Sequence, residues 1–141
     1  MKVNWAAILL AAIVHFGFGA VWFTAFSKPW QAGTRLSAEE LRAYTAHPNF
    51  WPYLISFLCT IGMALVISWV MGVSCEFSLF RGIVTGLMVG IVAALAMVTE
   101  MTFEFRSSTF MFISSAYPLI GSVLMGIVLG VWKPKGVGAT S

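Results

Sequence analysis

Four uninterrupted apolar stretches, each as long as a bilayer is thick, constrain this chain more than anything else in it. They run over residues 3–26, 50–73, 82–103 and 109–132. About 20 helical residues at about 1.5 Å each cross a hydrocarbon core. Backbone groups in lipid must bond within their own segment, so the stretches read as helices rather than open strands. Composition agrees: 60% of the 141 residues are hydrophobic, 9% are charged, and the mean hydropathy is +0.92. Eight basic and five acidic side chains cannot solvate the surface of a water-facing domain of this size. The chain is expected to be an all-α integral membrane four-helix bundle forming a single domain over residues 1–141.

The first stretch is too long for the h-region of a signal peptide, and Phe and Trp follow its Gly19-Ala20 pair, so it reads as a retained helix. Trp5, Trp22, Trp30, Trp51, Tyr53 and Trp132 stand near the span ends, as an interfacial aromatic belt requires. Between the first two spans, Ser37-Ala-Glu-Glu40 has the form of a capping box, with Leu36 and Leu41 at the staple positions. A short amphipathic helix over about 38–46 is therefore expected on the membrane surface, ended by Pro48.

The net charge of +3 does not point to nucleic acid, because the basic residues are scattered singly. Lys2, Arg81, Lys133 and Lys135 flank one side of the spans; Lys28, Arg35, Arg42 and Arg106 flank the other. That tie of four against four leaves the free amino group to favour both termini in the cytoplasm, in an inner-membrane protein. Cys59 and Cys75 form neither a disulfide framework nor, with His15 and His47 far away in sequence, a zinc motif. No metal and no cofactor is expected.

Small residues recur every four positions. Gly82, Gly86 and Gly90 open the third span, Ser122, Gly126 and Gly130 close the fourth, and Ala7, Ala11, His15 and Gly19 line the first. Such stripes let helix backbones approach closely where lipid removes the hydrophobic driving force. Sequence alone leaves open whether they close within one chain, in a homodimer or in a larger membrane complex.

Polar residues inside spans carry functional weight. Counted by depth at about 1.5 Å per residue, His15, Cys59, Thr60 and Tyr117 share a level, with Pro118, Ser114 and Ser115 beside them. If their faces converge, they form a polar pocket. Glu100 and Glu104 share a helix face near the end of the third span, where Glu100 either pairs with Arg106 or guards the mouth of that pocket. A neutral His15 bonded to Tyr117 or Thr60 across helices is the simplest reading of the histidine. No nucleophile, base and acid stand at a hydrolytic spacing. The chain is thus expected to be non-enzymatic, packing with itself or within a membrane complex; the alternative is a small dimeric transporter or channel subunit with His15, Glu100 and Tyr117 along a polar path.

Three stretches carry a resemblance to a family. They are Gly19-Ala-Val-Trp22-Phe23 with Lys28-Pro-Trp30, the loop Leu36-Ser-Ala-Glu-Glu-Leu41, and the final span with Tyr117 and Gly126-Ile-Val-Leu-Gly130-Val-Trp132. Together they resemble the bacterial small-membrane-protein family filed as domain of unknown function 1761. The resemblance spans nearly the whole chain. It implies a four-helix inner-membrane protein and assigns no reaction, cofactor or partner.

Overall fold

The computed structural model describes residues 3–47 and 49–132. Lys2, Lys133 and Lys135 of the charge balance and the Pro48 stop signal lie outside them. The described residues form α1 (Trp5–Ala25), α2 (Ser27–Ala32), α3 (Ala38–Ala46), α4 (Trp51–Val73), α5 (Leu79–Phe103) and α6 (Ser108–Val131). The fold is all-helical, and α1, α4, α5 and α6 are long and apolar enough to cross a membrane. The Asn4 side-chain amide donates to the Trp132 carbonyl at 3.3 Å, which joins the beginning of α1 to the end of α6 on one side of the bundle.

Caps set the helix boundaries. Ser37 Oγ accepts from the Glu40 amide at 3.2 Å and the Glu40 carboxylate accepts from the Ser37 amide at 2.8 Å, completing the capping box of α3. The backbone bond from Ser37 holds the Glu40 carboxyl below its ordinary range. The third span starts at Leu79, three residues before the expected Gly82, because Ser78 caps it by accepting from the Arg81 amide. Arg81 is accommodated inside the helix because its guanidinium turns back to the Ser74 hydroxyl and stands 3.8 Å from Glu76. The short α2, absent from the sequence reading, continues the chain directly after α1 through Phe26.

Two tight turns reverse the chain. At the end of α4, Cys75 N–H donates to Gly72 and Glu76 N–H to Met71; at the end of α5, Phe105 N–H donates to Thr102 and Arg106 N–H to Met101. These are Schellman motifs. Their left-handed residue, normally glycine, is Cys75 at φ 53° in one and Phe105 at φ 55° in the other.

The small-residue stripes of the third and fourth spans close on each other within the chain. A Cβ added at Gly82 would overlap the Gly126 carbonyl, one at Gly86 the Ser122 carbonyl, and one at Gly130 the Ser78 carbonyl. At Gly90 it would come within 2.8 Å of the Leu119 oxygen. Antiparallel α5 and α6 thus meet backbone to backbone along their length. Side chains of the remaining helices fill the terminal half: Ala7, Ile8 and Ala11 of α1 pack with Ile67 and Met71 of α4 and Met125 and Leu129 of α6. Helix α3 packs on no other described helix. The buried hydroxyls of Ser68, Thr85 and Ser122 lie at the level of this packing, and His15 and Tyr117 lie further toward the opposite face.

Candidate functional site

Helices α1 and α6 interlock by exchanging bulk for glycine. His15 lies against Gly121, where an added Cβ would overlap its imidazole; the Tyr117 ring lies against Gly19, where an added Cβ would come within 2.8 Å of its hydroxyl. One level further on, Trp22 Nε1 donates to the Ile113 carbonyl at 3.0 Å. The stripe that continues Ala7 and Ala11 through His15 to Gly19 is therefore an α1–α6 seam with one large residue set into it. His15 is 2% exposed, its ring centroid is 4.7 Å from that of Tyr117, and its Nδ1 has no well-formed hydrogen bond among the described residues. The Tyr117 hydroxyl reaches not the imidazole but the His15 backbone oxygen, at 3.5 Å. A contact of that length is at the limit of hydrogen bonding and leaves the phenol able to donate elsewhere.

On the α4 side of this seam the bundle opens into a cavity of about 510 Å³. Its apolar wall is made by the rings of Phe16, Phe23, Tyr53 and Tyr117 and by the small residues Gly19 and Ala20. Thr24, Ser27 and Ser56 bring hydroxyls to it. Thr24 donates to the Ala20 carbonyl at 2.6 Å within its own helix, whereas the Ser27, Tyr53 and Ser56 hydroxyls donate to no group among the described residues. The ends of α1 and the start of α4 form the mouth, and Tyr117, nine residues into α6, marks a floor about 13 Å below the helix end. The size falls within the range of pockets that hold small ligands.

With this geometry in view, the family profile described as protein of unknown function (DUF1761) matches residues 6–130. The chain belongs to that family. The match takes in the four spans except the first residue of α1 and the last of α6, and it covers every residue of the cavity and of the His15–Gly121 seam. No curated protein and no solved structure matches the chain.

Of the residues singled out in sequence, the fold of this DUF1761 member brings His15 and Tyr117 together and separates the others. Thr60 is buried, and its hydroxyl donates to the Ser56 carbonyl of its own helix rather than to His15. Cys59, one position earlier, is exposed on the outer face of α4. Shared depth did not imply a shared face: adjacent helical positions differ by about 100° around the axis. Glu100 is exposed too, and Arg106 pairs with Glu104 at 2.9 Å instead. That bond holds the Glu104 carboxyl below its ordinary range. Arg106 also donates to the Gly33 carbonyl at 3.1 Å and lies 5.0 Å over the Phe110 ring, while Trp30 stacks on Phe110 at 5.9 Å. These contacts fasten α2 and its following turn to the start of α6.

The residues that sequence reading missed are Gly121 and most of the cavity wall. Tyr53 and Ser56 are one turn apart near the start of α4, and Thr24 at the end of α1 is three residues before Ser27, which opens α2. Hydroxyls near span ends are routinely assigned to the interface. The signal that distinguishes these is pairwise: two such patches end adjoining spans on one side of the bundle.

Proposed function

We propose that this protein acts by binding rather than catalysis, receiving a small uncharged amphiphile from the membrane into the cavity between α1, α4 and α6, as a binding or transport subunit. The observation that carries this reading is the cavity itself: about 510 Å³, walled by rings, with the Ser27, Tyr53 and Ser56 hydroxyls donating to no group among the described residues. Among the described residues its lining includes no charged side chain, and a charged head group would enter it without a counter-ion at high desolvation cost. Self-association draws no support from the α5 and α6 stripes, since these pack against each other; a homodimer or larger complex would use the outward apolar faces of α4 and α5. With both termini cytoplasmic, the orientation favoured by the sequence, the cavity opens toward the opposite leaflet of the inner membrane.

The test uses the full chain purified in mild detergent and extracted with organic solvent. We expect a neutral small molecule to be recovered in stoichiometric proportion from the natural protein and lost from Ala20→Trp, in which an indole fills the cavity. Equal recovery from both proteins, or none from either, would overturn the binding reading.

A further inference from the structure

We infer that the molecule this cavity accepts carries a planar, uncharged ring bearing carbonyl oxygens, a quinone-type head, with its apolar tail left in the lipid. The inference rests on the binding reading above and specifies its ligand. Three features of the lining lead to it. Phe23 and Tyr117 meet at 5.1 Å with their planes tilted by 60°, and Phe16 and Tyr53 add further aromatic surface to the same cavity. Aromatic side chains take a flat ring in offset or edge-on packing, an arrangement that a saturated chain cannot reproduce. The polar groups at the wall are hydroxyls, and the two phenols, Tyr53 on α4 and Tyr117 on α6, are donors suited to carbonyl acceptors. Tyr117 is the better placed of the two. Its ring is fixed between Gly19 and His15, and its hydroxyl engages the His15 carbonyl only at 3.5 Å.

Absence of charge in the lining excludes a phosphate or ammonium head by the desolvation argument already given. The volume is sufficient for a ring and a short length of tail. Ala20, Thr24, Tyr53 and Ser56 of the lining are exposed on the bundle surface, which would let a long tail remain outside. His15 acts here as a positioning residue: its imidazole, buried against Gly121, backs the Tyr117 ring and restricts the direction of the phenol. Only binding is inferred, with no electron transfer.

The full chain in lipid nanodiscs is titrated by calorimetry with a decyl-substituted benzoquinone and, separately, with decanol, each against empty nanodiscs. The expected result is saturable binding of the quinone alone, weakened about five- to tenfold in Tyr117→Phe, as loss of one hydrogen bond implies, and abolished in Ala20→Trp. Tyr117→Phe should keep the natural thermal midpoint, which separates loss of the donor from loss of the fold. Saturable binding of both compounds, both abolished by Ala20→Trp but unchanged by Tyr117→Phe, would overturn the quinone assignment and leave the binding reading standing. Quinone binding that survives Ala20→Trp would place the ligand elsewhere and overturn the assignment. Saturable binding of neither compound, with a neutral molecule still recovered by extraction, would likewise reject the quinone head; binding of neither with nothing recovered would reject the cavity as a ligand site.

Discussion

The imidazole of His15 occupies the space that a side chain at Gly121 would need, so the one large polar residue in the α1 stripe is possible only because α6 has glycine opposite it. The reciprocal pair, Tyr117 on Gly19, lies one turn away in each helix. The two pairs set the register of α1 on α6, and with it the position of the cavity wall.

Gly121→Ala should therefore push His15 against Tyr117 and destabilise the protein by about 1–3 kcal/mol, the usual cost of overfilling a packed site. In the double variant Gly121→Ala with His15→Ala the two effects should fail to add, with a coupling of about 1 kcal/mol or more. Reversible unfolding in mixed micelles with increasing SDS measures both. Strict additivity would mean that the two residues do not share this space.

Glycines of the α5–α6 seam should respond very differently from those facing open space. Gly82→Ala meets the Gly126 carbonyl, a backbone atom that cannot rotate away, and should cost about 3 kcal/mol, at the upper end of overpacking effects. Gly86→Leu should prevent the monomer from folding at all. Nothing lies within 4 Å of a Cβ at Gly17 or Gly62, so alanine there should stabilise its helix by about 0.5–1 kcal/mol. The same unfolding series compares all four variants.

Cys75 holds a left-handed conformation at the Schellman position after α4, and its side chain is exposed. Relief of that backbone strain in Cys75→Gly should raise stability by about 1 kcal/mol. A second effect would be loss of thiol labelling at the membrane edge, leaving Cys59 as the remaining thiol. An unchanged or lower unfolding midpoint would show that the turn is not strained.

Acid should loosen the fastening of α2 to α6. The Arg106 hydrogen bond depresses the Glu104 carboxyl, so the carboxylate's stabilising effect is fully present above the ordinary carboxylate range. It is lost as pH falls through the depressed folded-state value. Trp30, stacked on Phe110 at 5.9 Å, reports the change. Its fluorescence in an otherwise tryptophan-substituted chain should shift as pH falls into that range in the natural sequence, and stay flat over the same range in Glu104→Gln. A shift of equal size in both proteins would assign the effect to another group.

Much of this protein was legible from sequence because a bilayer tolerates so few structures. Length and apolarity determined the four spans, Ser37 and Glu40 determined the start of α3, and the four-residue stripes determined which faces could approach closely. What only the tertiary structure decided was rotation about each helix axis and the choice of partner. Neighbouring positions point about 100° apart, so Thr60 turns inward while Cys59 turns outward at almost the same depth. Glu100 likewise faces out, and the guanidinium expected to reach it binds Glu104 one turn further along. The stripes of α5 and α6 could have closed on another chain as readily as on each other. Backbone complementarity at Gly82 and Gly126 selected the intrachain contact. The cavity was hidden for the same reason: it exists between α1, α4 and α6, and depends on spatial neighbours that no spacing along one helix reveals.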